Sequence, residues 1–517
     1  MIPVFANPSA LEAQAKEKYA IPNFLMMENA AKAMADFIVN EMAAAVGTQA
    51  SPASPAPAKA IIVCGKGNNG GDGYALARLL QNKLEIILLC LEPPTADEAK
   101  VQYEMCRRLG IRIWDAGSKE DFESFQKLCA ELGERDFLID CIYGTGFHGE
   151  LKAEIKKILE IMNAAGGKKI ACDISSGLFF QADYTITMGS QKLALYSDKA
   201  KAVSGKIIVA ELGLASEKFE GSDAAQAFLI EDSDLILPLR KNRAAHKGTY
   251  GHTAVFCGEK SGAAIMAATA AMNFGSGLTS LLPAAGSDLA QFKISPSLMI
   301  SENIPAKASC LLLGSGFTGF PSAAAGAVLD WFKQSEKPAA VFDAGILTAP
   351  EALEFLCELN KVENARIILT PHLSELSRLL ENCRTKKADP DAPKCPVNTN
   401  LASLAENPQA KLEAGRFLTS LFPKSTIIMK SANTFIAAGD EVFIIADGAQ
   451  SLAKGGSGDI LAGLAASLLA QGYETKTAAI TAAGYHASLS KRVGEEAFNL
   501  TPEKLLEMIS FDACFNG

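Results

Sequence analysis

Residues 60–80 read AIIVCGKGNNGGDGYALARLL. A short continuous apolar run bounded by glycine predicts a strand buried on both faces, and the apolar spacing after it predicts a helix. Gly65, Gly67 and Gly70 satisfy the GxGxxG spacing between strand and helix, with Glu92 at about the right distance onward. Alone, that is a weak dinucleotide-fold signal. Asp72 argues against a plain pyrophosphate turn, because a carboxylate in the first helical turn competes with a phosphate for the same end of the helix dipole. Asn68 and Asn69 carry amides that donate and accept, which suits a polar ring or a monovalent cation. A tight turn with Asp72 as a helix-terminal charge stays open as the purely structural account.

Outward from this stretch, apolar runs at 60–64, 85–91, 111–115, 137–142, 169–173, 184–188 and 206–210 predict strands, with helical segments between most of them. That alternation is the signature of a parallel sheet covered on both faces. Helices are expected at 9–19 and 26–45, and the run TQASPASPAPAKA at 48–60 reads as a surface loop. Polar, mixed sequence at 215–235 places a domain boundary there, dividing the chain into 1–222 and 223–517. The second half repeats the α/β alternation, with strands expected at 253–257, 278–282, 310–313, 340–343, 367–370, 426–430 and 434–437. A second loop is expected at 384–400, RTKKADPDAPKCPVNTN.

Two more strand ends in the first half carry polar loops: FLID ends on Asp140 before YGTGFHGE, and KIACD ends on Asp173 before ISSGL. In a parallel sheet the ligand crevice opens at the carboxyl ends of the strands, so all three loops should face one crevice. In the second half, LAKGGSGDILAGLAASLLAQG is the most informative stretch. Gly455, Gly456 and Gly458 permit a bend that aims backbone N–H groups at one spot, and the helix beginning near Asp459 adds its positive end. Together they form an anion hole for a transferring phosphoryl group, with Asp459 placed as general base. The bland alternative makes Asp459 only a cap. Upstream, MKSANTFIA puts Lys430 and Thr434 around a strand turn where they could meet phosphates, although a lone lysine there is more often solvated.

These blocks carry a resemblance. IPNFLMMENAAKAMADF, GKGNNGGDGYALARLL, IDCIYGTGFHGE and CDISSGL resemble the NAD(P)H-hydrate epimerase domain over about residues 1–215. The resemblance implies a Rossmann-like three-layer α/β/α fold. It implies a hydrate pocket lined by Asn68, Asn69, Gly70, Gly71, Asp72, Gly144, Thr145, Gly146, Phe147, His148, Gly149 and Glu150, with Asp173 as the catalytic contact. It also implies a potassium ion on Asn69, Asp140 and Ser176, whose oxygens suit a hard cation. HKGTYGHTAVFCG, GAAIMAATAAMNFGSGL, LLLGSGFTG, LTPHLSELSRLL and GGSGDILAGLAASLLAQG resemble the ADP-dependent NAD(P)H-hydrate dehydratases over about residues 236–510. That resemblance implies a ribokinase-like three-layer α/β/α domain using ADP and magnesium. It places Ala264, Gly316, His372 and Asp459 at the hydrate, and Lys430, Ser431, Ala432, Asn433, Thr434 and Gly458 at the nucleotide. Three departures stand out: Phe179 and Phe180 directly after SGL, Ser431 where glycine is usual, and FDAGIL in place of a DAD pattern.

Composition bounds the rest. The 517 residues are 49% hydrophobic and 21% charged, with a net charge of −9, which gives no general attraction to nucleic acid or an anionic membrane. Twelve cysteines include no CxxC pair, and Cys64, Cys90, Cys172 and Cys257 sit in apolar runs as small buried hydrophobes. Thiols of this kind and an N-terminus without a basic start or an apolar core point to the cytoplasm. Small-molecule partners, NADH hydrate, NADPH hydrate and ADP, and a homo-oligomer are expected. A small-molecule kinase, a non-catalytic N-terminal module and an ordinary oxidoreductase are the rival readings.

Overall fold

The computed structural model describes residues 1–47, 58–221, 225–385, 395, 400–494 and 497–511. Most of the loops expected at 48–60 and 384–400 lie outside the described residues. The chain divides into two compact units, Pro3–Ala225, and Gln226–Gly517 together with Met1–Ile2.

In the N-terminal unit the strands lie in the order Arg112–Asp115, Glu85–Cys90, Lys59–Cys64, Phe137–Cys141, Lys168–Cys172, Tyr184–Met188 and Lys206–Ala210, all parallel. Ala60, Ile62 and Cys64 pack into the core on one face, and Ile61 and Val63 into the core on the other. This period-two division, apolar on both sides, is why the strand reads as an unbroken apolar run. Strand order reverses between Lys59–Cys64 and Phe137–Cys141, which opens a crevice at their carboxyl ends. Cys64, Cys90, Cys141 and Cys172 close four adjacent strands and are all buried. One short pairing had no clear sequence signal: Val4 and Phe5 run parallel to Gln191 and Lys192.

The C-terminal unit orders its strands Met299–Ile300, Leu278–Pro283, His252–Cys257, Cys310–Leu313, Ala339–Phe342, Arg366–Leu369, Ser425–Met429, Thr434–Ala438, Glu441–Ile445 and Ala227–Leu229. They are parallel as far as Ser425–Met429; Thr434–Ala438 then turns antiparallel to both of its neighbours. Helices Ser261–Asn273 and Ser457–Ala470 pack closely, and a Cβ at Gly463 would lie 2.2 Å from the Ala267 carbonyl oxygen. The small-residue runs of both helices are therefore a packing requirement. No helix among the described residues is long and apolar enough to cross a membrane.

Candidate functional site

In the N-terminal unit the strand Lys59–Cys64 hands over to helix Asn68–Leu80 through Gly65, Lys66 and Gly67. A Cβ at Gly65 would meet the Ile142 carbonyl oxygen at 2.1 Å, and one at Gly70 the Gly65 carbonyl oxygen at 1.9 Å. A Cβ at Gly73 would press instead on side chains, 2.7 Å from Cys64 Sγ and 2.9 Å from Cys141 Cβ. Close backbone packing thus demands glycine at 65 and 70, whereas a Cβ at Gly67, on the cavity wall, would meet nothing within 4 Å.

The loops at the strand ends enclose a cavity of about 490 Å³ lined by Asn68, Asn69, Asp72, Gly144, Thr145, Gly146, Phe147 and Asp173. Glu12, Met26 and Met27 wall its other side, and Tyr143 stacks on Phe147 with centroids 4.3 Å apart. Gly70 and Gly71 are buried behind that wall, and Gly71 faces the Met27 methyl. His148, Gly149 and Glu150 are exposed beyond it, so the structure gathers only the first part of that loop at the cavity.

Asp173 adopts a left-handed φ of +71°, a costly conformation for a non-glycine residue. Its Oδ2 accepts from the Thr145 N–H at 3.1 Å and its Oδ1 from the Met188 N–H at 3.3 Å, and Lys192 forms an ion pair with it. Burial pushes this carboxyl up, but Lys192 and the backbone donors outweigh burial and hold it below the usual carboxylate range. Asp72 goes the other way: burial, then the charges of Asp173 and Glu12, push it well above that range. Lys192 is 2% exposed and had no sequence signal, because a lysine just after a strand end reads as solvated. Glu12 was missed because a glutamate on a helix reads as part of its solvated face.

Asp140 is fully buried. Its Oδ1 accepts from Ser176 Oγ at 2.7 Å and from the Ile142 N–H at 3.1 Å, and its Oδ2 from the Ser176 N–H at 2.8 Å. Burial raises it to about 6 against these bonds. Asn69 is also buried, and neither its amide oxygen nor its amide nitrogen has a hydrogen-bond partner. An orphaned amide oxygen in a crevice with one bonded carboxylate and one hydroxyl fits a monovalent cation. The short loop after Leu178 turns inward: Phe180 is fully buried in the core, and its carbonyl accepts from Ser175 Oγ at 2.6 Å.

In the C-terminal unit Asp459 sits in the first turn of Ser457–Ala470, which Gly456 enters at φ +97°. Lys430 lies beside that turn. Its Nζ is 2.8 Å from Asp343 Oδ1, which also accepts from Thr370 Oγ1 at 2.7 Å. Lys430 is therefore mostly buried and paired, not the solvated lysine of the bland reading. Burial raises the Asp459 carboxyl to about 6, reinforced by the charge of Asp343. His372 bridges to Lys430 as an isolated parallel pair, and its Nε2 is 3.1 Å from Glu375 Oε1.

The turn from Lys430 to Thr434 joins two antiparallel strands. Ser431 has no left-handed φ; it accepts from the buried Lys411 ammonium at 2.7 Å and donates to the Asn433 carbonyl at 2.7 Å. Serine thus replaces glycine there without backbone strain. Ala432 is exposed and Asn433 buried. Gly316, at φ +81°, is held against the Lys260 carbonyl. Ala264 is fully buried among the apolar residues between the helices, so its methyl presents no free surface to a ligand.

Two family models cover the chain: one described as YjeF-related protein N-terminus matches residues 24–194, and one described as NAD(P)H-hydrate dehydratase matches residues 253–510. The chain is 35% identical over 518 residues to the bifunctional NAD(P)H-hydrate repair enzyme Nnr of Helicobacter pylori, covering 98% of this chain and 99% of that one. The chain belongs to the bifunctional NAD(P)H-hydrate repair enzyme family. The two family models fall on the two compact α/β units, one on the N-terminal unit and one on the C-terminal unit. The family's Moorella thermoacetica member is 27% identical over 535 residues, 95% of this chain and 91% of that one. Among solved structures, the ADP/ATP-dependent NAD(P)H-hydrate dehydratase of Bacillus subtilis is 22% identical with a TM-score of 0.42, over 53% of this chain and 92% of that one.

Proposed function

We propose that this protein repairs hydrated nicotinamide nucleotides, with its N-terminal unit interconverting the R and S hydrates and its C-terminal unit dehydrating the S form. The dehydration consumes ADP and yields NADH or NADPH, AMP and phosphate. The observation that carries this reading is the half-buried Asp459 carboxyl at a helix N-terminus, with the Lys430 ammonium beside it.

The hydrate's hydroxyl oxygen attacks the β-phosphorus of ADP; the new O–P bond forms as the bond to AMP breaks, and Asp459 takes the hydroxyl proton. With a carboxyl at about 6, Asp459 is mostly ionised near neutrality yet still basic enough to accept it. The helix N-terminus and Lys430 face the charge on the transferring group. Phosphate then leaves with the C–O electron pair, the ring nitrogen supplies electrons, and loss of a proton from the adjacent carbon restores the dihydronicotinamide. His372, Gly316 and Asp459 are assigned to the hydrate, and Ser431, Ala432, Asn433 and Thr434 to the nucleotide with Lys430 and Gly458.

In the N-terminal unit the ionised Asp173 is the base that works on the ring hydroxyl. Asn69, Asp140 and Ser176 would hold potassium, which supplies a fixed positive charge at the crevice edge. The C-terminal unit offers magnesium no cage of its own: Asp343 and Glu375 are already engaged, and no cluster of three metal-binding side chains occurs among the described residues. Magnesium would therefore ride on ADP phosphates and water, as is usual for that ion. The buried thiols are in keeping with a reducing cytoplasm. The test is incubation with mixed hydrate epimers and ADP: the reduced-nicotinamide absorbance should recover, and no recovery with ADP or ATP would refute the reading.

A further inference from the structure

Gly458 has no left-handed φ, and a Cβ built there would meet a single atom, Lys430 Nζ, at 3.2 Å. Gly456 differs, with φ +97° and the Pro502 and Met266 side chains in the way; so does Gly463, pressed on a neighbouring backbone. Neither conformation nor packing demands glycine at 458. What the missing side chain leaves free is the space in front of one ammonium. That ammonium is fixed from behind by Asp343, a buried carboxylate at the end of strand Ala339–Phe342, itself anchored by Thr370.

Building on the phosphoryl-transfer reading above, we propose that Asp343 is a positioning residue, holding the Lys430 ammonium in the gap that Gly458 leaves open so that cation and helix N-terminus face the transferring phosphoryl together. A lysine has a long flexible stem and three rotatable donors, so its charge aids a transition state only where something fixes it. A buried ammonium also needs a partner to stay protonated. Burial alone would lower the proton affinity of Lys430; Asp343, then Glu375, and finally Asp459 raise it above the ordinary value. The neutral His486, from the helix packed behind, adds no competing charge.

The experiment uses the full-length protein as wild type, Asp343→Asn, Gly458→Ala and the double variant. It measures kcat and KM for ADP with the S hydrate across pH, with a melting curve for each. Asp343→Asn should lower kcat by about 10²-fold, the usual scale for losing one electrostatic contact in a transition state, with KM for ADP nearly unchanged. Its kcat should also fall on the alkaline side where wild type is flat, because an unpaired Lys430 gives up its proton. A purely structural defect would not create that limb. Gly458→Ala should lower kcat by about 10-fold, and the double variant should be no worse than Asp343→Asn, since both act through one ammonium.

Additive losses, a change confined to KM, or the absence of an alkaline limb in Asp343→Asn would overturn the proposal. If Asp343→Asn melts early, Gly458→Ala decides: its kcat loss must vanish in a Lys430→Met background, and persistence there overturns the proposal. A wild type with no ADP-dependent turnover at all would instead sink the underlying functional reading, and this proposal with it.

Discussion

At the scale of single residues, Asp459 is a half-buried carboxylate whose desolvation is tolerated for chemistry. Its carboxyl titrates at about 6, against an ordinary 3.8. A folded value above the unfolded one means the folded protein holds the proton more tightly. The associated stability is full below about pH 4 and is lost as pH rises through 6, a difference on the order of 2–3 kcal/mol. Asp459→Asn escapes that loss, so it should melt higher than wild type at pH 8 and level with it near pH 4. The same variant should lose about 10²–10⁴-fold in dehydration rate while still binding ADP. Near wild-type turnover in Asp459→Asn would reduce the residue to a helix cap. Asp459 was legible because three glycines before an acidic helix start are rare without a ligand. Lys192 and Asp343 were not. Each becomes informative only through its partner, Asp173 for one and Lys430 for the other, and those pairings join segments that are neither close in sequence nor on adjacent strands, which spacing does not reveal.

Among the elements, the glycines of the two loops separate by what they touch. Gly456→Ala places a methyl on a left-handed residue against Pro502 and Met266, and should destabilise the C-terminal unit by about 1–3 kcal/mol. Gly455→Ala meets nothing within 4 Å and should be near neutral in a melting curve; equal losses would mean that the turn is not strained at 456. In the N-terminal crevice, Asn69 comes from the first turn of helix Asn68–Leu80, Asp140 from the end of a strand and Ser176 from the turn that follows the neighbouring strand. Replacing potassium by a bulky organic cation at equal ionic strength should lower epimerase activity, and Asp140→Ala should remove the difference. Identical rates in both salts would drop the ion. The parallel strands were legible because burial on both faces writes an unbroken apolar run. Short pairings such as Val4–Phe5 with Gln191–Lys192 were not, since two residues carry no periodicity. Nor did composition reveal that Ala264 serves helix packing, because an alanine-rich helix face reads alike whether it meets a ligand or another helix.

For the whole molecule, the central claim is a division of labour: each compact unit carries its own carboxylate, Asp173 on a cavity in one and Asp459 at a helix N-terminus in the other. The net charge of −9 gives no long-range pull on anionic nucleotides, so each site must rely on local devices. Those devices were readable as loops at strand ends, because a parallel sheet sends its loops to one edge whatever the side chains do. The most direct measurement is ADP-dependent recovery of reduced-nicotinamide absorbance by Asp173→Asn, with pure S hydrate and pure R hydrate in separate reactions. The S hydrate should be consumed at the wild-type rate, and the R hydrate should stall. Equal loss on both epimers, or undiminished consumption of the R form, would contradict the division.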